Sequence, residues 1–171
     1  EIYMGDWSSD VCSSDLAATL AQNQMTDIPA LSHSVTALIE APAELTFAFL
    51  ADPLKVGDWA LASMQAQPAD DPGIYRGRSL FDGAQNHFAV SAHPQLLLVE
   101  YSVGPREALR PRIRAQVMRS ESVGLAATSC YLTLTAWRPA DMPAARWSRL
   151  CAAHNVEIWL IKEQVEVIAQ C

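Results

Sequence analysis

His154 is the side chain best placed to do chemistry in this sequence. Trp147, Leu150 and Cys151 precede it, and Ile158, Ile161, Val165 and Ile168 follow, at steps of one, three or four. At about 100° per residue the series fills one arc of roughly 100°, so a helix here carries a single imidazole on its apolar face. An imidazole so placed can orient or protonate a carbonyl or hydroxyl. It reads equally as a neutral core histidine bonded to a strand carbonyl or a tyrosine. Tyr101 is the natural partner: it alternates with Leu97, Val99 and Val103 on the buried face of a strand, and its hydroxyl needs a hydrogen bond. Such a pair serves binding or structure alike.

The other reactive side chains argue against most reaction classes. His33, His87, His93 and His154 show no pairing with carboxylates at metal-ligand spacing, so no metal site is expected. Cys12, Cys130, Cys151 and Cys171 are scattered with no C-x-x-C pair, a pattern of free thiols in a reducing, cytoplasmic compartment. Cys151 reads as a small buried apolar residue at the edge of the helical stripe. No nucleophile elbow or phosphate-cradling glycine loop occurs in a chain with only seven glycines, so no cofactor is expected. Arg76 and Arg78 share a strand face with Ile74 and Leu80; they read as solvated, or as receivers of a carboxylate at a cavity rim. Tyr75 and His87 lie on strands whose two alternating sets are both mixed, which leaves their facing open.

The element that must position His154 is long. Asp141 is placed to cap a helix that runs to Cys171, with Pro143 in its first turn. About 27 helical residues span about 40 Å, nearly the length of a small domain, and need a broad apolar surface to lie on. The chain upstream supplies it. His33–Glu40 reads as a strand, Ala43–Ala51 as a short helix begun by Pro42 and stopped by Asp52-Pro53, and Leu54–Trp59 as a second helical turn loosened by Gly57. Strand-like runs follow at Leu61–Gln67, Ile74–Phe81, His87–Ala92, Gln95–Val103, Arg112–Arg119 and Leu125–Trp137. Turn signals separate them, the strongest at Asp82-Gly83. Consecutive hairpins imply an antiparallel sheet with one buried face, and strands in a block with helices at the ends make the class α+β. Glu100 is placed to pair with Arg112 or Arg114 across strands.

The 171 residues, half of them hydrophobic, suit one domain with a sizeable core. A net charge of −7 disfavours nucleic acid and anionic membranes, and no run is long enough to span a bilayer. Residues 1–30 read as a disordered or artefactual tail, leaving 31–171 as the domain. Within that tail, Asp6–Leu16 (D-W-S-S-D-V-C-S-S-D-L) resembles the in-frame translation of a sequencing adapter, which removes Trp7 and Cys12 from any functional count. On the long helix, Val156, Trp159, Leu160 and Val167 fall away from the main stripe and read as a homodimer surface, or as the scattered exposed apolar residues of any protein.

The stretch I-E-A-P-A-E-L-T-F-A-F-L-A-D-P-L-K-V-G-D-W, Ile39 to Trp59, together with the order of elements, resembles the START-related superfamily called SRPBCC. The likeness extends over about Ser34 to Ala169. It implies a helix-grip fold: a curved seven-stranded antiparallel sheet around the C-terminal helix, two short helices after the first strand, and a deep apolar cavity between sheet and helix. Trp59 matches the family tryptophan near the cavity mouth. The resemblance implies binding of a small hydrophobic molecule such as a lipid, polyketide or quinone, with Trp59, Tyr75, Tyr101 and His154 as ligand-contacting residues. Two alternatives follow from it: an enzyme similar to polyketide cyclases, with His154 as its acid–base group, and an interaction module resembling the chaperone-activating branch.

Overall fold

The computed structural model describes residues 31–171; the adapter-like stretch and the rest of the expected tail lie outside the described residues. The elements in order are β1 (Ser32–Ile39), α1 (Ala43–Ala51), α2 (Val56–Trp59), β2 (Met64–Pro68), β3 (Tyr75–Arg78), β4 (Gln85–His93), β5 (Leu98–Gly104), β6 (Arg110–Arg119), β7 (Cys130–Trp137) and α3 (Ala144–Ala169). The seven strands form one curved antiparallel sheet in the order β1-β7-β6-β5-β4-β3-β2. Every neighbour except β1–β7 is a sequence neighbour, as chained hairpins require. The closing β1–β7 pair carries hydroxyl contacts on its outer face, Ser34 with Thr135 at 2.9 Å and Thr36 with Thr133 at 2.8 Å. Arg114, as expected, pairs with Glu100 across β5 and β6.

Alternation sets the inner face. Val99 and Tyr101 on β5, Ala115 and Val117 on β6, and Leu132 and Leu134 on β7 are buried in one cluster with Phe49 and Leu50 of α1 and Ile158, Ile161 and Val165 of α3. The helix takes its first carbonyl contact from Pro143, whose C=O accepts from Arg146 and Trp147. Asp141 does not cap it, contrary to expectation: Pro143 itself occupies the cap position and no side chain bonds the free amides. The apolar stripe holds from Trp147 to Val165, but Ile168, in the last turn of the helix, is 41 % exposed. Leu160 is also corrected, since it packs against the core while Val156, Trp159 and Val167 stay exposed.

Several strands start later than the residue pattern suggests, each for a local reason. Leu61–Ser63 forms a turn ahead of β2, and Pro94–Leu96 makes a tight 3-10 turn that ends at Leu97 with φ 48°. Residues 125–129 are loop, so β7 begins at Cys130. Gly57 is more than a loosened turn: a Cβ there would stand 2.2 Å from the Ala66 amide nitrogen, so only glycine lets α2 approach β2. Beside β1, the Lys162 ammonium donates to the Leu38 carbonyl at 3.0 Å, and the Glu40 N–H donates to Glu166 Oε1 at 2.6 Å. Two α3 side chains thus occupy backbone groups along the free edge of β1.

Candidate functional site

The buried apolar residues fall into two clusters. The larger runs from Ile39 and Phe49 through Val99 and Leu132 to Ile161 and Val165; the smaller joins Ala136, Met142 and Trp147, with Leu150 and Cys151 at its margin. Between them α3 carries two polar residues, His154 at 3 % exposure and Glu157 at 4 %. The strand opposite supplies a third. His33 pairs with Ala136 in register, and its ring centroid lies 6.0 Å from that of His154. A polar seam therefore crosses an apolar interior.

Each member of the seam is only partly satisfied. Glu157 Oε1 accepts the Leu61 N–H at 2.8 Å, clamping the turn after α2 to α3. The other carboxyl oxygen stands 3.8 Å from His154 Nε2, too far for a hydrogen bond. Among the described residues, His154 Nδ1 and His33 Nε2 have no partner, nor do Trp59 Nε1 and Arg112 Nε. Burial pushes the His154 imidazole down to about 4, helped by His33. Burial likewise pushes the Glu157 carboxyl up to about 7, against the opposing effect of the Leu61 N–H. At mildly acid pH both groups are thus neutral, and the close approach is not an ion pair.

The tyrosine expected beside His154 lies elsewhere. Tyr101 is on the buried face as predicted, but its hydroxyl donates to the Leu50 carbonyl at 2.8 Å, and its ring meets Trp59 edge-on at 5.7 Å. Burial holds that phenol well above its ordinary range. Tyr101→Phe leaves the Leu50 carbonyl without its donor and is expected to lower stability by about 1–3 kcal/mol, read from urea unfolding. Trp59 is buried in the larger cluster, and Tyr75 stacks on Phe88 at 5.7 Å, facing inward. His87 lies across from Arg76 on the neighbouring strand. The structure brings Trp59 and Tyr101 together, and neither is hydrogen-bonded to His154. Glu157 and His33 were missing from the sequence reading. The signals existed: Glu157 falls three residues after His154 and four before Ile161, and His33 alternates with Val35, Ala37 and Ile39.

In place of the deep apolar cavity expected between sheet and helix, an open groove of about 490 Å³ lies between edge strand β1 and α3, with Asn155 and Lys162 among its lining residues. Inward-facing Val35, Ala37 and Ile158 line it, and Trp159, 58 % exposed, forms its rim. Val35 is one same-face strand step from His33 and Ile158 one helical turn from His154, so the groove adjoins the seam, though no seam residue lines it. No group of three or more candidate metal ligands occurs among the described residues, and no helix among them is long and apolar enough to cross a membrane.

This is a START-like helix-grip fold, and solved structures share it. A START superfamily protein from Mycobacterium smegmatis matches with TM-score 0.53 and 13% identity over 81% of this chain and 97% of that one. The Zhui aromatase/cyclase from a Streptomyces species matches with TM-score 0.54 and 17% identity over 81% and 93%. The Aha1 dimer from Colwellia psychrerythraea matches with TM-score 0.57 and 14% identity over 80% and 96%. At these identities the likeness is one of fold. No family model matches the sequence, and no curated protein does.

Proposed function

We propose that the domain binds a small hydrophobic molecule whose apolar body lies in the groove between β1 and α3, with one polar group at the His33–His154–Glu157 seam. The observation that supports this reading is that a groove adjoins, by one strand step and one helical turn, a buried seam whose imidazole nitrogens lack partners. An uncompensated buried polar atom costs about 1–3 kcal/mol, which a ligand hydroxyl or carbonyl would recover. Native mass spectrometry of the purified full chain tests for a co-purifying hydrophobic molecule, with fluorescence of an anilinonaphthalene sulfonate probe as the quantitative readout. Ala37→Trp, which fills the groove, is expected to abolish probe binding; probe bound as well as in the unmodified chain would sink the proposal. The unpaired thiols of Cys130, Cys151 and Cys171 suit a cytoplasmic setting.

A second reading, an enzyme similar to the aromatase/cyclase proteins of this fold, draws on the His154–Glu157 pair. A neutral imidazole beside a carboxyl group that titrates near neutrality is equipped to pass protons to and from a bound carbonyl chain. His154→Phe separates the two. Pure binding survives it with altered affinity, whereas an acid–base role loses turnover while the ligand stays bound.

The third reading, an interaction module, rests on Val156, Trp159 and Val167, which leave an apolar strip open on α3. If that strip joins two copies, Trp159→Glu halves the mass measured by light scattering. An unchanged mass rejects the interface.

A further inference from the structure

The outer face of the sheet carries a second arrangement, on the side opposite the seam. On β3, Tyr75 and Gly77 point inward, so Arg76 and Arg78 both project outward. The register surrounds them with polar side chains. Gln67 and His87 flank Arg76 from β2 and β4, and Gln85 stands opposite Arg78. Gln65 joins the same face from the β2 irregularity, where its φ of 58° puts a residue with a side chain in the left-handed region. A groove of about 290 Å³ runs among Gln65, Gln67, Arg76, Arg78 and Gln85.

Three features favour an anion in this groove. First, no acidic side chain lines it, and among the described residues neither arginine lies within ion-pair distance of a carboxylate. The nearby acids are engaged elsewhere: Asp70 and Asp71 hold Arg106, and Asp82 accepts the Ala84 N–H within its own turn. Second, the hairpin turn passes close to one of the guanidinium groups. Gly83, at φ 69°, has no Cβ, and one built there would stand 3.3 Å from Arg78 Nη2. The turn thereby leaves room for that group to lie across it. Third, the neighbours are carboxamides, which add N–H donors without cancelling the positive charge. On a chain of net charge −7, this groove lining carries two arginines and no acidic residue.

We propose that this face binds a phosphate-bearing anion. The two arginines lie two residues apart on one strand, about 6.6 Å between Cα atoms, so their forked donors can converge on the oxygens of a phosphate ester or pyrophosphate group. The site is independent of the groove between β1 and α3. Its test is calorimetric titration of the full chain with inorganic pyrophosphate, beside the double variant Arg76→Gln/Arg78→Gln and the control Arg110→Gln. Because the two side chains are exposed, thermal unfolding of the double variant should match that of the unmodified chain. Its pyrophosphate affinity should fall at least about tenfold, the loss expected of two charge-assisted contacts, while the control keeps its affinity. Flotation with phosphatidate vesicles, against phosphatidylcholine vesicles, identifies the source of the phosphate: capture by phosphatidate alone marks a lipid headgroup, and pyrophosphate binding without vesicle capture marks a soluble ligand. Three results overturn the proposal: no binding to either probe, equal affinity in the double variant, or an equal loss in the Arg110→Gln control.

Discussion

Ile161→Ala is expected to destabilise the fold by about 3–4 kcal/mol, among the largest effects of any single truncation on α3. Ile161 is 0 % exposed and sits where the helix crosses the larger apolar cluster, between Ile158 and Val165. Truncation removes three carbons from a position with rigid strands on one side and its own helix on the other. The cavity therefore cannot collapse, and its contribution adds to the lost transfer free energy. For a domain of this size the change corresponds to a fall in Tm of about 10 °C. Ile168→Ala is the matched control. Its side chain is 41 % exposed in the last turn of the helix, and the expected change is within about 0.5 kcal/mol. Similar losses in the two variants would show that the grip does not centre on the middle of the helix.

Glu157→Gln is expected to raise stability relative to the parent chain progressively as pH climbs from 5 to about 7. The folded carboxyl titrates near 7 against an ordinary 4.5, so between those values the folded chain binds a proton that the unfolded chain has released. Stability from this group is complete below about 4.5 and is lost as pH rises through about 7. His154 acts in the opposite sense. Its pKa falls from 6.5 to about 4, so its contribution grows as pH climbs between those values. From about 4.5 to 6.5 the two slopes oppose and nearly cancel in the parent chain, so the carboxyl's loss is unopposed only between about 6.5 and 7 and is complete above that. The glutamine variant keeps an oxygen for the Leu61 N–H and carries no charge at any pH. Relative to the parent it should gain about 2–3 kcal/mol on going from pH 5 to pH 8, measured by urea unfolding at each pH. Parallel pH profiles would mean that Glu157 is hydrated in the folded chain.

These two residues also show what the amino-acid sequence can and cannot reveal. Ile161 was legible, because the 3.6-residue period of α3 is a property of the helix alone. Ile168 and Leu160 were misplaced by the same period, since where a helix's burial ends, and how far it rolls, depends on the partner surface. The inner face of β5 was correct down to Tyr101, yet its hydrogen-bond partner was not; the end of α1 reaches that hydroxyl, and no local pattern encodes the approach. The late starts of β5 and β7 came from turn chemistry, Pro94–Leu96 in one case and residues 125–129 in the other. The seam was hidden for a different reason. His33 and Glu157 each look like one polar residue in an apolar pattern, and only the packing of α3 against the sheet brings His33 beside His154.

The bonds from Lys162 and Glu166 to the rim of β1 bear on the fate of the chain in a crowded solution. A terminal strand with free amides and carbonyls is a template on which another molecule can add its own strand and begin a fibre. At the opposite margin, β2 is only five residues long, irregular, and ends in Pro68, all of which discourage such growth. At β1 the deterrent is borrowed from the helix, two side chains plugging Leu38 and Glu40. A chain clipped short of Lys162 would lose this guard together with its lid, and should precipitate as ordered β-rich material rather than remain an unfolded monomer.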